Sequence, residues 1–370
     1  MTLKTLHGAF EFQVQKYQLE GVSLSYLELT QPETRPNLGR GLQEFCAYYS
    51  NRLSYREVSE LVERQCGTRV FSSQGIWQLV QQQALQLSDG IERSIVAQPS
   101  KPMLEVATKV ELYDEPSAEV ILYDDAIGVK AQKPQRPRRD AAATEEPEHP
   151  KTVVTDVVVL QTAPEQFEYL SAPMAADGSV RLPIETVVLS RMQQVYGQSE
   201  TPLPLVVISD GATVIRNRWN RTFSSAVVVI LDWYHLCEKV RQLMSMIAQS
   251  KTEKTTHLKL LLSDLWHGRT QAALDYLQQV VPRNREKWQE LITYLKKHQH
   301  EIVDYEQRRQ VGKSIGSGRV EKAVDQVIGS RQKRKGKSWR PQGSHALGLL
   351  KVLELNGKWQ KYWFPQSAIV

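Results

Sequence analysis

The sequence predicts an α/β fold built on a mixed sheet with helices on both faces, and three observations carry that expectation. Two apolar runs, Leu205-Val-Val-Ile-Ser and Ala226-Val-Val-Val-Ile-Leu, each end in a carboxylate, Asp210 and Asp232. Upstream, three strand-like runs precede a helical stretch, giving the order strand, strand, strand, helix, strand, helix, strand. Downstream, residues 236–310 are almost wholly helical in pattern, with Leu258, Leu261, Leu262 and Leu265 on one stripe. In open α/β sheets polar chemistry collects at the carboxyl edge of the strands, which is where Asp210 and Asp232 stand.

The elements follow in order. Residues 1–100 form an N-terminal region in which 41–84 read as helices. Ser54-Tyr-Arg-Glu57 is a capping box, and Val58, Leu61 and Val62 form a stripe that stops at Gly67. A second helix starts at Ser72, with Phe71 and Ile76 as a hydrophobic staple. Two helices joined by a tight turn suggest a helix-turn-helix, in which Gln74, Gln78 and Gln81 share the outward face and reach base edges. An ordinary helical bundle is the other reading. The core, 101–235, opens with a strand over Ala118–Lys130 that carries Asp124 and Asp125 near its middle. The Pro-, Arg- and Glu-rich stretch 133–151 lacks apolar periodicity and reads as a flexible, solvated loop. Strands over Thr152–Gln161 and around Phe167–Ser171 follow, then a helix over Ile184–Tyr196 and the strands ending at Asp210 and Asp232. An all-helical insertion, 236–310, contains a long helix from Arg285 to about Arg309. The last part, 311–370, holds a glycine-bearing turn whose Ser317 caps a helix carrying Glu321, followed by basic helices.

Composition narrows the class. Hydrophobic residues make up 41% and charged residues 24%, and the longest apolar run is Ala226–Leu231, far too short to span a membrane. Three scattered cysteines and an N-terminus without the layout of a secretory signal fit a cytoplasmic protein with no disulfide framework. The net charge of +6 is uneven: residues 311–370 carry twelve Lys and Arg against three acids. Clustered cations of this kind point to a polyanion, nucleic acid before any other. The run Arg331-Gln-Lys333-Arg334-Lys335-Gly-Lys337-Ser-Trp-Arg340 is the densest part, and its cations are suited to holding DNA phosphates rather than reading bases.

Carboxylates converging from separate elements suit hard divalent cations, because Mg²⁺ takes oxygen ligands in near-octahedral geometry. The candidates are Asp125 or Asp124 within a strand, Asp210 at a strand end and Glu321 in the first turn of a late helix. Taken singly each has a plain structural role, since Asp232 and Asp210 also suit caps and turns and Glu321 suits a helix dipole.

Together these residues resemble the bacterial insertion-sequence DDE transposases related to the Mutator group, and within them the Kra-type branch. The resemblance rests on Ser209-Asp-Gly-Ala212, Ile230-Leu-Asp-Trp-Tyr-His235-Leu-Cys-Glu238, Ile315-Gly-Ser-Gly-Arg-Val-Glu321, and the closing blocks Gln326–Arg331 and Gly357–Trp363. It covers roughly Val120–Trp363. It implies a ribonuclease-H-like sheet, with Asp125, Asp210 and Glu321 as the metal-holding acids, Asp124 as the alternative first acid, and Asp232 and His235 as a supporting pair. The implied activity is Mg²⁺-dependent cleavage of transposon ends, with Mn²⁺ as substitute, followed by joining of the freed 3′-hydroxyl to target DNA. Double-stranded DNA is the implied partner, engaged by a homo-oligomer that holds two ends, in the cytoplasm and on the nucleoid. Related proteins often carry a cysteine-bearing zinc ribbon at the N-terminus. Residues 1–40 contain no cysteine, so no zinc is expected. Two alternatives stay open: a non-catalytic DNA-binding regulator or inactive copy, and a ribonuclease-H-like nuclease that does not join strands.

Overall fold

Two short hairpins open the chain, β1 (Thr2–Thr5) with β2 (Gly8–Glu11) and β3 (Lys16–Leu19) with β4 (Val22–Ser25). The computed structural model describes residues 2–19, 21–26, 37–97, 104–113, 119–133, 150–163, 165–224 and 226–365. Most of the expected loop at 133–151 lies outside the described residues.

Helices α1 (Arg40–Ser50), α2 (Tyr55–Cys66) and α3 (Ser73–Val96) follow around their own core of Leu42, Val58, Val62, Ile76 and Leu79. The Ser54 capping box is present, and Ser72 caps α3 through Gly75 N. α3 is 24 residues long, well beyond a short recognition helix. From Val80 onward it passes under the C-terminal helices: Val80 and Ala84 join the main core, and the Tyr362 hydroxyl donates to Gln83. Gln74 and Gln78 are exposed as expected, but Gln81 is half-buried, its amide nitrogen shut away from solvent, which removes it from an outward reading face.

Runs rich in Val and Ile then supply β5 (Val120–Lys130), β6 (Thr152–Ala163), β8 (Leu205–Ser209) and β9 (Val228–Leu231), and the aromatic-bearing Gln-Phe-Glu-Tyr-Leu forms β7 (Gln166–Leu170). They pair into a five-stranded mixed sheet in the order β7-β6-β5-β8-β9. β6 runs antiparallel to both β5 and β7, while β5, β8 and β9 are mutually parallel.

Both faces of the sheet are covered, so β5 opens with four consecutive buried apolar residues, Val120–Tyr123, rather than an alternating pattern. On one face Val120, Leu122, Val158, Leu160, Leu205 and Val207 share a core with Trp219 and Phe223 and with the helix Ile184–Tyr196. On the other face Ile121, Tyr123, Ile127, Val206 and Ile208 pack beneath the helical insertion and the C-terminal helices.

Between α3 and the C-terminus lie α4 (Ile184–Tyr196), α5 (Thr213–Thr222), α6 (Trp233–Ile247), α7 (Lys251–Trp266), α8 (Thr270–Gln279), α9 (Arg285–Lys297) and α10 (Tyr305–Gln310). The single long helix expected over Arg285–Arg309 is two helices. The break falls at His298-Gln-His-Glu301, where the His298 ring bonds Glu301 at 2.5 Å, and Asp304 then caps α10 through Gln307 N. α11 (Gly318–Val324) continues through a π-helical turn (Asp325–Gly329) into one further turn (Ser330–Gln332), and α12 (Pro341–Leu355) and α13 (Trp359–Trp363) close the described chain. Among the described residues no helix is long and apolar enough to cross a membrane.

Candidate active site

The parallel pairing sets the site. β5 pairs with β8 through Tyr123 and Ile208, and β8 with β9 through Ser209 and Leu231. Carrying both registers on by one or two residues puts Asp125, Asp210 and Asp232 in one row across the three strands. Side chains alternate along a strand, so Asp125 shares the face of Ile121, Tyr123 and Ile127. α11 packs over that face against β5 and β6 and carries Glu321 in its first turn.

The same alternation sends Asp124 to the opposite face. It is buried there, taking a hydrogen bond from Trp219 Nε1 at 2.9 Å and pairing with Arg218 at 3.1 Å. Burial pushes its carboxyl up to about 6, against the pull of Arg218. Asp124 is therefore buried on the face away from α11, and of the two neighbours it is Asp125 that shares the face on which α11 lies.

Asp232 is fully buried at the start of α6. One oxygen accepts from His235 N at 2.8 Å and the other from Ser317 N, so this carboxylate ties the end of β9 to the turn that leads into α11. Ser317 stands at the start of α11 without capping it; its hydroxyl donates instead to Glu321 Oε1 at 3.0 Å. The His235 ring nitrogen Nδ1 lies 3.5 Å from Asp232 and 3.6 Å from Glu321. Among the described residues Asp232, His235 and Glu321 are the group whose ligand atoms fall within 4.8 Å of one another; Asp125 and Asp210 stand outside it. The expected trio of Asp125, Asp210 and Glu321 thus shares a sheet face without closing into so tight a cluster.

The adjacent Asp232 carboxylate, helped by Glu321 and Asp210 and opposed by burial, pushes His235 up to about 9. A raised imidazole stabilises the fold fully below its unfolded value near 6.5 and loses that contribution as pH rises towards 9. In chelator, the thermal midpoint of the wild type is expected to fall across pH 6.5–9 more than that of His235→Asn; parallel curves for the two proteins would remove the imidazolium from this account.

Asp210 lies at an exposed turn, where its Oδ1 accepts from Ala212 N at 2.8 Å. Gly211 has φ +89°, and an added Cβ would sit 2.8 Å from both the His298 ring and Leu231 Cδ1, two buried side chains. His298 is held by Glu301, which also pairs with Arg216 of α5. The helical insertion thereby packs directly under the Asp210 turn, a support that a single long helix over 285–309 does not signal. Gly211→Ala is expected to cost about 2–4 kcal/mol, combining a left-handed backbone with overpacking, and to slow any chemistry that uses Asp210. Urea denaturation checks the first part, and a midpoint equal to wild type would show that the turn relaxes freely.

No family model matches the chain, and no curated protein matches it. What the site can do is therefore read from its own donors. Asp210 and Glu321 are exposed and Asp125 is half-buried, giving hard oxygen donors on one face, which fits Mg²⁺ or Mn²⁺. Asp232, with both oxygens already engaged by backbone N–H groups, is suited to holding Ser317 in place.

The expected DNA contacts divide. Lys333, Arg334, Lys335 and Arg340 are exposed and Lys337 is half-buried, whereas Arg331 is only 3% exposed and donates from Nε to Ser50 O at 3.0 Å. Arg331 is thus part of the joint between the N-terminal helices and the core, a long-range contact that no local pattern signals.

Proposed function

We propose that the protein is a DNA transposase on a ribonuclease-H-like core, cutting the ends of its element and joining them to target DNA by in-line phosphoryl transfer. The observation that carries this reading is that Asp125 lies in β5 and Asp210 directly after the neighbouring parallel strand β8, with Glu321 on a helix packed against β5 and β6. These three carboxylates would hold Mg²⁺, with Mn²⁺ as substitute. When bound, such ions supply Lewis-acid stabilisation of charge on the reacting phosphate oxygens.

The chain's own residues position the reaction. Asp232 fixes the Ser317 turn, Ser317 orients the Glu321 carboxylate, and the imidazolium of His235 offsets the negative charge of the acids around it. The cations of 333–340 hold the DNA backbone, and two ends handled together call for at least two copies of the chain. The test is incubation of the purified protein with labelled DNA carrying the element's own ends, with Mg²⁺ or in chelator. Metal-dependent nicking followed by strand joining supports the reading. Cleavage without joining would make the protein a nuclease, and binding without either would make it a regulator or an inactive copy.

A further inference from the structure

A groove of about 670 Å³ lies between the N-terminal helices and the basic turn after Gln332, lined by Gln74 and Trp77 on one side and Lys337, Trp339 and Arg340 on the other, with Arg331 between them. Three helices begin at it: α2 after Ser54, α3 after Ser72 and α12 after Arg340. Ser54 and Ser72 already take first-turn N–H groups of α2 and α3, whereas α12 starts with no side-chain cap, and its N-terminus carries the positive end of its dipole.

Arg331 supplies an independent observation. It is buried, lies 4.9 Å over the Trp339 ring and bonds Ser50 O through Nε, yet its Nη1 meets no acceptor. Leaving a charged donor unpaired in a buried place is costly, so the site is built for an anion. The neighbouring cations agree: Arg331, Arg334, Lys337 and Arg340 form no ion pair among the described residues. Burial and then the charges of Arg331 and Arg334 push the Lys337 ammonium below its ordinary value.

We propose that this groove binds the phosphodiester backbone of a nucleic-acid strand without regard to base sequence, with Arg331, Lys337 and Arg340 around the phosphate. The choice of nucleic acid over a free polyphosphate rests on the DNA-handling function proposed above. Arg331 follows Glu321 by ten residues of nearly continuous helix, about 15 Å, so a strand held here reaches the acids within roughly four nucleotide steps.

The test uses the full chain in chelator, where cleavage plays no part. Fluorescence anisotropy on a duplex of arbitrary sequence, over a salt series, compares the wild type with Lys337→Ala/Arg340→Ala and Lys337→Arg/Arg340→Lys. The alanine pair is expected to bind about tenfold or more weakly and to reduce the salt slope by about 2, while the conservative pair stays near wild type. A parallel thermal-shift titration with inorganic tripolyphosphate is expected to stabilise the wild type and not the alanine pair. Unchanged DNA affinity and slope in the alanine pair overturns the proposal, as does loss of tripolyphosphate binding with DNA binding intact. Asp124→Asn, on the opposite face of the sheet and tested alongside, keeps full DNA affinity. A failed groove with intact metal-dependent cleavage spares the proposed function, whereas groove-dependent DNA binding without cleavage under any metal spares the groove.

Discussion

Asp210→Asn is expected to lower metal-dependent DNA cleavage by about 10³-fold while leaving the thermal midpoint unchanged. The asparagine oxygen can still accept from Ala212 N, so the turn survives, and the side chain is exposed, so no core contact is lost. What disappears is the charge that a divalent cation needs. Asp124→Asn is the matched control. Its side chain faces Trp219 and Arg218 across the sheet, and Arg218 keeps Asp156 and Glu185 as partners, so cleavage is expected to stay within a few-fold of wild type. Single-turnover cleavage of labelled end DNA separates the two. Equal losses in both variants would undo the assignment of the acids to opposite faces.

Glu119→Ala is expected to destabilise the protein by about 3–5 kcal/mol, because it leaves two buried cations without their anion. Glu119 sits just before β5, paired with Arg308 at 2.7 Å and Lys313 at 3.3 Å, all three side chains essentially inaccessible. The remaining donors of Arg308 and Lys313 reach the carbonyls of Leu112, Ser314 and Glu111. This network fixes the start of the turn that leads through Ser317 to Glu321. Urea denaturation measures the loss; a change below about 1 kcal/mol would show that water enters and solvates the cations.

Much of the sheet and its helices was legible because long apolar runs, and stripes of period 3.6, are strong signals. The helix Ile184–Tyr196 and the strand ends at Asp210 and Asp232 stand where the pattern puts them. The hairpins of residues 2–25 leave little trace in the sequence, since strands of four residues with few buried positions carry almost no alternation. The choice between Asp124 and Asp125 was also hidden. β5 is buried on both faces, so its sequence does not say which residues look which way until the neighbouring strands are placed. The role of Asp232 emerged only from a contact with Ser317 across 85 positions, and the burial of Arg331 from one with Ser50 across 281.

The π-helical turn at Asp325–Gly329 admits one residue more than an α-helical turn would, and Gly329 lies against the exposed Asp325 carboxylate. Each residue advances a helix by about 100° around its axis. Deleting a single residue from this turn would therefore keep Glu321 in place but swing Arg331 and the whole basic stretch about a quarter of a revolution, away from Ser50 and out of line with the acids. The wide turn acts as a phase-setting spacer: it fixes the angle between the Glu321 face and the basic face of one polypeptide.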